Sequence, residues 1–95
     1  MRIFFDVDGT LIDHNDNEKV NVIYLLCELA FSPSNNQVFV GSGGGVDYAR
    51  GVCQRLGIEG HVTIVPKLRD PKNLYDIAFD DEQDAAMGKV NLWVR

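Results

Sequence analysis

Apolar residues fall along this chain in two rhythms. Short runs, Ile3-Phe4-Phe5, Val38-Phe39-Val40, Val62-Thr63-Ile64-Val65, Ile77-Ala78-Phe79 and Leu92-Trp93-Val94, are bounded by polar or glycine-rich segments. Such runs have no polar face, as expected of buried strands in a parallel sheet. They predict strands over Arg2–Asp8, Gln37–Gly41, His61–Val65, Asp76–Asp80 and Val90–Val94. The second rhythm is helical. Val22, Ile23, Leu26, Leu29 and Ala30 predict a helix over Glu18–Ala30, and Ala49, Val52, Cys53 and Leu56 predict another over Val46–Leu56. Asp16 or Asn17 suits the N-cap of the first, and Ser32-Pro33-Ser34-Asn35-Asn36 ends it. Gly57 suits the carboxyl end of the second. A short third helix is expected over Glu82–Met87, stopped by Gly88.

Strands alternating with helices imply an α/β fold. The expectation is a three-layer, doubly wound, parallel five-stranded sheet in one domain spanning residues 1–95. In sheets of this kind ligands bind beyond the carboxyl ends of the strands. Asp6, Ser42, Lys67 and Asp80 all stand at or just past such ends.

Composition narrows the function classes. Apolar residues make up 45% and charged residues 24% of the 95 residues, an ordinary globular balance. A net charge of −5, with no local basic stripe, gives no electrostatic footprint for nucleic acid. No apolar run approaches the roughly 20 residues of a membrane span. The amino-terminal residues do not read as a signal peptide, because acids interrupt them, so a cytoplasmic location and no membrane partner are expected. Cys27 and Cys53 match neither a zinc nor a redox spacing and read as reduced, helix-borne core residues.

The chemistry concentrates in Asp6-Val7-Asp8-Gly9-Thr10, directly after the first apolar strand. Two carboxylates two residues apart, turning at a glycine, can meet one Mg²⁺ ion. Asp6 can bind the ion through one oxygen and attack with the other. Asp8 can offer its backbone carbonyl while its side chain moves a proton. A carboxylate nucleophile divides phosphoryl transfer into an acyl-phosphate step and a hydrolysis step, and an acid–base partner serves both. A calcium EF-hand is excluded, since the glycine at loop position 6 and the glutamate at position 12 are missing. Ser42-Gly43-Gly44-Gly45 is neither a P-loop nor a dinucleotide fingerprint, but its glycines and the following helix suit an anion.

Phe4-Phe5-Asp6-Val7-Asp8-Gly9-Thr10-Leu11 resembles the first motif of the haloacid dehalogenase-like phosphohydrolases. Three further segments resemble the family's other motifs, in the family's order. Val38-Phe39-Val40-Gly41-Ser42-Gly43 resembles the second, with Ser42 as the phosphate-binding hydroxyl. The third motif is a lysine that neutralises the nucleophile and the phosphoryl group. Lys67 is favoured for it over Lys72. Tyr75-Asp76-Ile77-Ala78-Phe79-Asp80-Asp81 resembles the fourth, whose acids complete the Mg²⁺ site. The resemblance implies direct contact of Asp81 with the ion, and contact of Asp80 directly or through water. It also implies a first strand at the sheet centre, flanked by the second and fourth. The connections are too short for an inserted cap domain.

On this reading Asp6, Asp8, Ser42 and Lys67 are catalytic, and Asp6, Asp8, Asp80 and Asp81 hold Mg²⁺. The expected activity is phosphate monoester hydrolysis through an aspartyl-phosphate on Asp6. The phosphorylated substrate is a small molecule or a macromolecule. The alternatives are a phosphotransferase, or a non-catalytic module binding phosphate or a partner on the same fold. His14, Arg50 and Arg69 read as solvated side chains and Trp93 as core.

Overall fold

The computed structural model describes residues 1–68 and 74–95. In chain order it has β1 (Arg2–Asp6), α1 (Val20–Ala30), β2 (Gln37–Gly41), α2 (Val46–Leu56), a 3-10 turn (Glu59–His61), β3 (Thr63–Ile64), β4 (Tyr75–Asp80) and β5 (Gly88–Trp93). The five strands form one parallel sheet in the order β3-β2-β1-β4-β5. β1 is therefore central, between β2 and β4, as expected.

β1 is central because Ile3, Phe4 and Phe5 are all fully buried, so neither face of the strand can meet water. Its two faces belong to different cores. Ile3 and Phe5 pack with Val38, Val40, Leu26, Ala49, Val52 and Cys53, which brings in both helices. Phe5 stacks on Phe79 at 4.5 Å between ring centroids. Phe4 points the other way, towards Ala78, Met87, Phe39, Val65 and Tyr75.

The strand order turns back at β1, as in the doubly wound sheet expected, but the helices among the described residues form a single layer. The steps β1 to β2 and β2 to β3 move outward in the same direction, and right-handed crossovers then put both helices on one face. Among the described residues the other face is covered by side chains of β2, β4 and neighbouring loops, with no helix over it. The fold is α/β with an all-parallel sheet and two helices.

Boundaries also differ from expectation: β1 ends at Asp6 rather than Asp8, β4 begins at Tyr75, and β5 is Gly88–Trp93 rather than Val90–Val94. α1 starts at Val20 without a side-chain cap. Asp16 and Asn17 serve the preceding loop instead. Asp13 accepts the backbone N–H groups of Asn15 and Asn17, and Asp16 takes a left-handed φ of 61°. β3 keeps only Thr63 and Ile64, because His61 closes the 3-10 turn. Glu82–Met87 is not a helix. Asp80 Oδ1 accepts the Glu82 N–H, and Asn91 Oδ1 accepts those of Met87 and Gly88. Asn91 thereby takes the Met87 N–H that a helix would bond internally, whereas the Asp80 contact alone would suit a helix start. α2 runs as expected and ends at Gly57 in the left-handed conformation, φ 74°.

Candidate functional site

The carboxyl ends of β1 and β4 lie side by side, and each ends in an aspartate. The register that pairs Phe5 with Phe79 sets Asp6 and Asp80 one step further along the two strands. Both are almost wholly buried, each only 4% exposed. Asp81 follows in the next turn. Oxygen atoms of Asp6, Asp80 and Asp81 lie within 4.8 Å of one another.

Gly9 makes the approach of Asp81 possible. Its φ is +81°, and a Cβ at this position would sit 2.1 Å from Asp81 Oδ2 and 2.4 Å from Asp81 Cγ. The loop closes on itself here, with backbone N–H groups of Thr10, Leu11 and Ile12 converging on the Val7 carbonyl. From the other side the Trp93 indole N–H donates to the Asp81 carbonyl at 3.0 Å. Trp93 is thus not the core residue expected. It is 45% exposed on the edge strand and pins the backbone of the Asp81 turn.

Lys67 reaches into the acids. Its Nζ donates to Asp6 Oδ1 at 3.0 Å and lies 2.8 Å from Asp80 Oδ2. The second contact is an ion contact without hydrogen-bond alignment, so Asp80 Oδ2 is buried and has no hydrogen-bond partner among the described residues. Burial opposes the Lys67 charge, but Asp80 and Asp6 outweigh it and raise the ammonium pKa. Burial raises the Asp6 carboxyl to about 7; the Lys67 hydrogen bond opposes this and the Asp80 charge adds to it. Thr10 Oγ1 stands 3.4 Å from Asp6 Oδ2 as a long hydrogen bond.

Ser42 is buried at the end of β2, the strand beside β1. Its Oγ accepts the Gly44 N–H at 3.0 Å, which shapes the glycine turn leading into α2. Asp8 behaves differently from the other acids. Its side chain is exposed and lies outside the carboxylate cluster. The Tyr48 hydroxyl donates to Asp8 Oδ1 at 2.6 Å.

The remaining expectations sort by position. His14 lines a cleft of about 450 Å³ with Gly9, Lys19, Asp81 and Trp93. Arg50 pairs with Asp47 at 3.6 Å along α2. Lys72 and Arg69 lie outside the described residues. Cys53 is buried, Cys27 is half-buried, and both are free.

Tyr48 and Lys19 were not found by sequence reasoning. Lys19 Nζ donates to the carbonyls of Gly9 and Arg95 at 2.7 and 3.0 Å, tying the Gly9 turn to the residues after β5. A lysine before a helix carries no signal for this. Tyr48 did carry one. Side chains in a first helical turn lean back towards the helix start, and α2 starts at the glycine turn.

The group suits a divalent cation. The donors are all oxygen, which favours Mg²⁺ or Ca²⁺ over thiophilic metals. Three carboxylates opposed by one ammonium leave a formal charge that a divalent ion would balance. Among the described residues Lys67 is the one cation beside the buried Asp6 and Asp80 carboxylates, and a single ammonium does not neutralise three acids. No helix is long and apolar enough to cross a membrane among the described residues. Compared with protein-family models, curated proteins and solved structures, the chain matches none of them.

Proposed function

We propose that this chain is a Mg²⁺-dependent phosphatase that hydrolyses a phosphate monoester through an aspartyl-phosphate on Asp6, a capless member of the haloacid dehalogenase-like phosphohydrolases. One observation carries the reading. Asp6 is buried at the end of the central strand, hydrogen-bonded to Lys67, with Asp80 and Asp81 beside it and Lys67 shared between Asp6 and Asp80. A carboxylate held only for stability has no reason to face two further acids there.

Each residue then has a role. The Asp6 carboxylate attacks phosphorus while the ester oxygen departs. Asp8 gives its proton to that oxygen, and in the second step takes one from the attacking water. This leaves an alcohol, inorganic phosphate and a regenerated Asp6. Lys67 lies on the attacking carboxylate and offsets its repulsion from the phosphoryl oxygens. The Ser42 hydroxyl and the N–H groups at the start of α2 suit those same oxygens. Asp6, Asp80, Asp81 and the Asp8 carbonyl would hold Mg²⁺, which supplies charge neutralisation to the transferring group.

The test is a panel of small and macromolecular phosphate esters with and without Mg²⁺. Phosphate release that stops on chelation and returns with Mg²⁺ supports the reading. Release unaffected by chelation, or none from any ester, overturns it.

A further inference from the structure

Tyr48 belongs to neither the carboxylate cluster nor the core. It is the third residue of α2, and the helix beneath it is fixed by the buried Ala49, Val52 and Cys53. Its ring lies over the glycine turn, where a Cβ on Gly44 would meet the ring at 3.0 Å. Its hydroxyl reaches across to Asp8 Oδ1 at 2.6 Å. That length lies within the range of a well-formed O–H···O hydrogen bond. One side chain thus spans the two loops that flank Asp6, the Asp8–Gly9 turn after β1 and the Ser42–Gly45 turn after β2.

Without Tyr48, Asp8 would be an exposed carboxyl on a turn, free among several rotamers. A tyrosine has only two side-chain torsions and loses little entropy when it holds a neighbour. The phenol O–H occupies Oδ1 as a donor, so Oδ1 must act as acceptor. The proton that Asp8 gives or takes is then confined to Oδ2. The arrangement fixes both where the acid stands and which of its oxygens does the work.

We propose that Tyr48 is a positioning residue for proton transfer by Asp8, holding the carboxyl so that Oδ2 alone serves the departing and entering oxygens. This rests on the phosphatase reading above. The covalent events stay on Asp6 and the substrate: the Asp6 oxygen bonds phosphorus, the ester P–O bond breaks, and the Asp8 proton goes to the departing alkoxide. Tyr48 keeps its own proton throughout.

Leaving-group chemistry provides the test. Acid assistance matters for an alkyl phosphate, whose alkoxide leaves poorly, and little for 4-nitrophenyl phosphate, whose phenolate leaves well. Tyr48→Phe keeps the ring and removes the hydroxyl. Steady-state kinetics on glycerol 2-phosphate and 4-nitrophenyl phosphate should show kcat on the alkyl ester lower by about tenfold to a hundredfold, the factor for losing a hydrogen bond to a charged group. KM should be unchanged and the aryl ester only slightly affected. Asp8→Asn should show the same split more strongly, and adding Tyr48→Phe to it should change nothing further. Tyr24→Phe, on the exposed side of α1, serves as the control.

A Tyr48→Phe enzyme that loses equally on both esters, or loses through KM, overturns the positioning role. So does one that matches the wild type while Asp8→Asn shows the split. A wild type inactive on both esters overturns the phosphatase reading, and the positioning role falls with it.

Discussion

Gly9→Ala separates the two demands made on this turn. The first is conformational. Gly9 sits at φ +81°, and an L-residue in the left-handed region costs about 1–2 kcal/mol. Gly57, at φ +74°, makes the same demand with nothing within 4 Å of an added Cβ. Gly57→Ala therefore measures the conformational cost alone, about 1 kcal/mol, or a melting point lower by about 4–8 °C for a domain of this size. The second demand is spatial and exists only at Gly9. The new Cβ would lie 2.1, 2.4 and 2.8 Å from Asp81 Oδ2, Cγ and Cβ. Because Asp81 Cβ is itself too close, rotating the carboxylate is not enough and the Asp81 turn must shift. The cluster then loses one of its three carboxylates. Gly9→Ala should lower the melting point further than Gly57→Ala and weaken Mg²⁺ binding by about tenfold to a hundredfold, the scale seen when support for a metal ligand is removed. Thermal melts give the first quantity. The second follows from Mg²⁺ titration of Trp93 fluorescence, since the single tryptophan donates to the Asp81 carbonyl. A Gly9→Ala protein with wild-type Mg²⁺ affinity, and a melting point equal to that of Gly57→Ala, would refute the reasoning.

Lys67→Met should abolish phosphate release and, without Mg²⁺ near pH 8, destabilise the fold by roughly 3–5 kcal/mol, because Asp6 and Asp80 lose their buried cation. Denaturant melts should show Mg²⁺ restoring part of this, and a melt no weaker than wild type would contradict it. Asp6→Asn should remain folded, release no phosphate and fail to bind beryllium fluoride, because an amide oxygen forms no acyl-phosphate analogue; turnover at the wild-type rate would exclude covalent catalysis on Asp6. Burial raises the Cys53 thiol to about 11 from 9.0, so the reactive thiolate is scarce at pH 8 and increases as pH rises towards 11. A thiol reagent at pH 8 should therefore modify the half-buried Cys27 well before Cys53, and equal rates would show that Cys53 is accessible.

The sequence was most legible where a residue's own character decides its structure. Ile3-Phe4-Phe5 could only be a strand buried on both faces, and acids directly after it had to stand at a sheet end. Gly57 marked the end of α2 because few other residues accept its backbone conformation. Legibility failed where a distant side chain took over backbone hydrogen bonds. Glu82–Met87 has helical composition, but Asn91 captures the Met87 N–H, and nothing local reveals that. The single-faced helix layer was hidden for another reason. Periodicity shows that a helix has an apolar side, whereas strand order decides which side of the sheet receives it. In the candidate site, Asp6, Lys67 and Asp80 were flagged by their positions after apolar runs and Asp81 by the resemblance of its segment, and the structure brings these four side chains together. Trp93 and Lys19 act through an indole N–H and an ammonium aimed at backbone carbonyls, a use that leaves no pattern in sequence.

Adjacent placement of β1 and β4 also ties the cluster to the lifetime of the chain. Neighbouring strands of a sheet stand about 4.8 Å apart and cannot separate without breaking their ladder. Asp6 and Asp80 are rooted in such a pair, so their repulsion cannot be relieved by drifting apart. It has to be met by Lys67, by a proton or by a bound cation. A cation that binds only the folded chain deepens the folded state in proportion to its free concentration. On the proposed reading, survival of this small domain against proteolysis and heat would follow the free Mg²⁺ of its surroundings, even where no substrate is present.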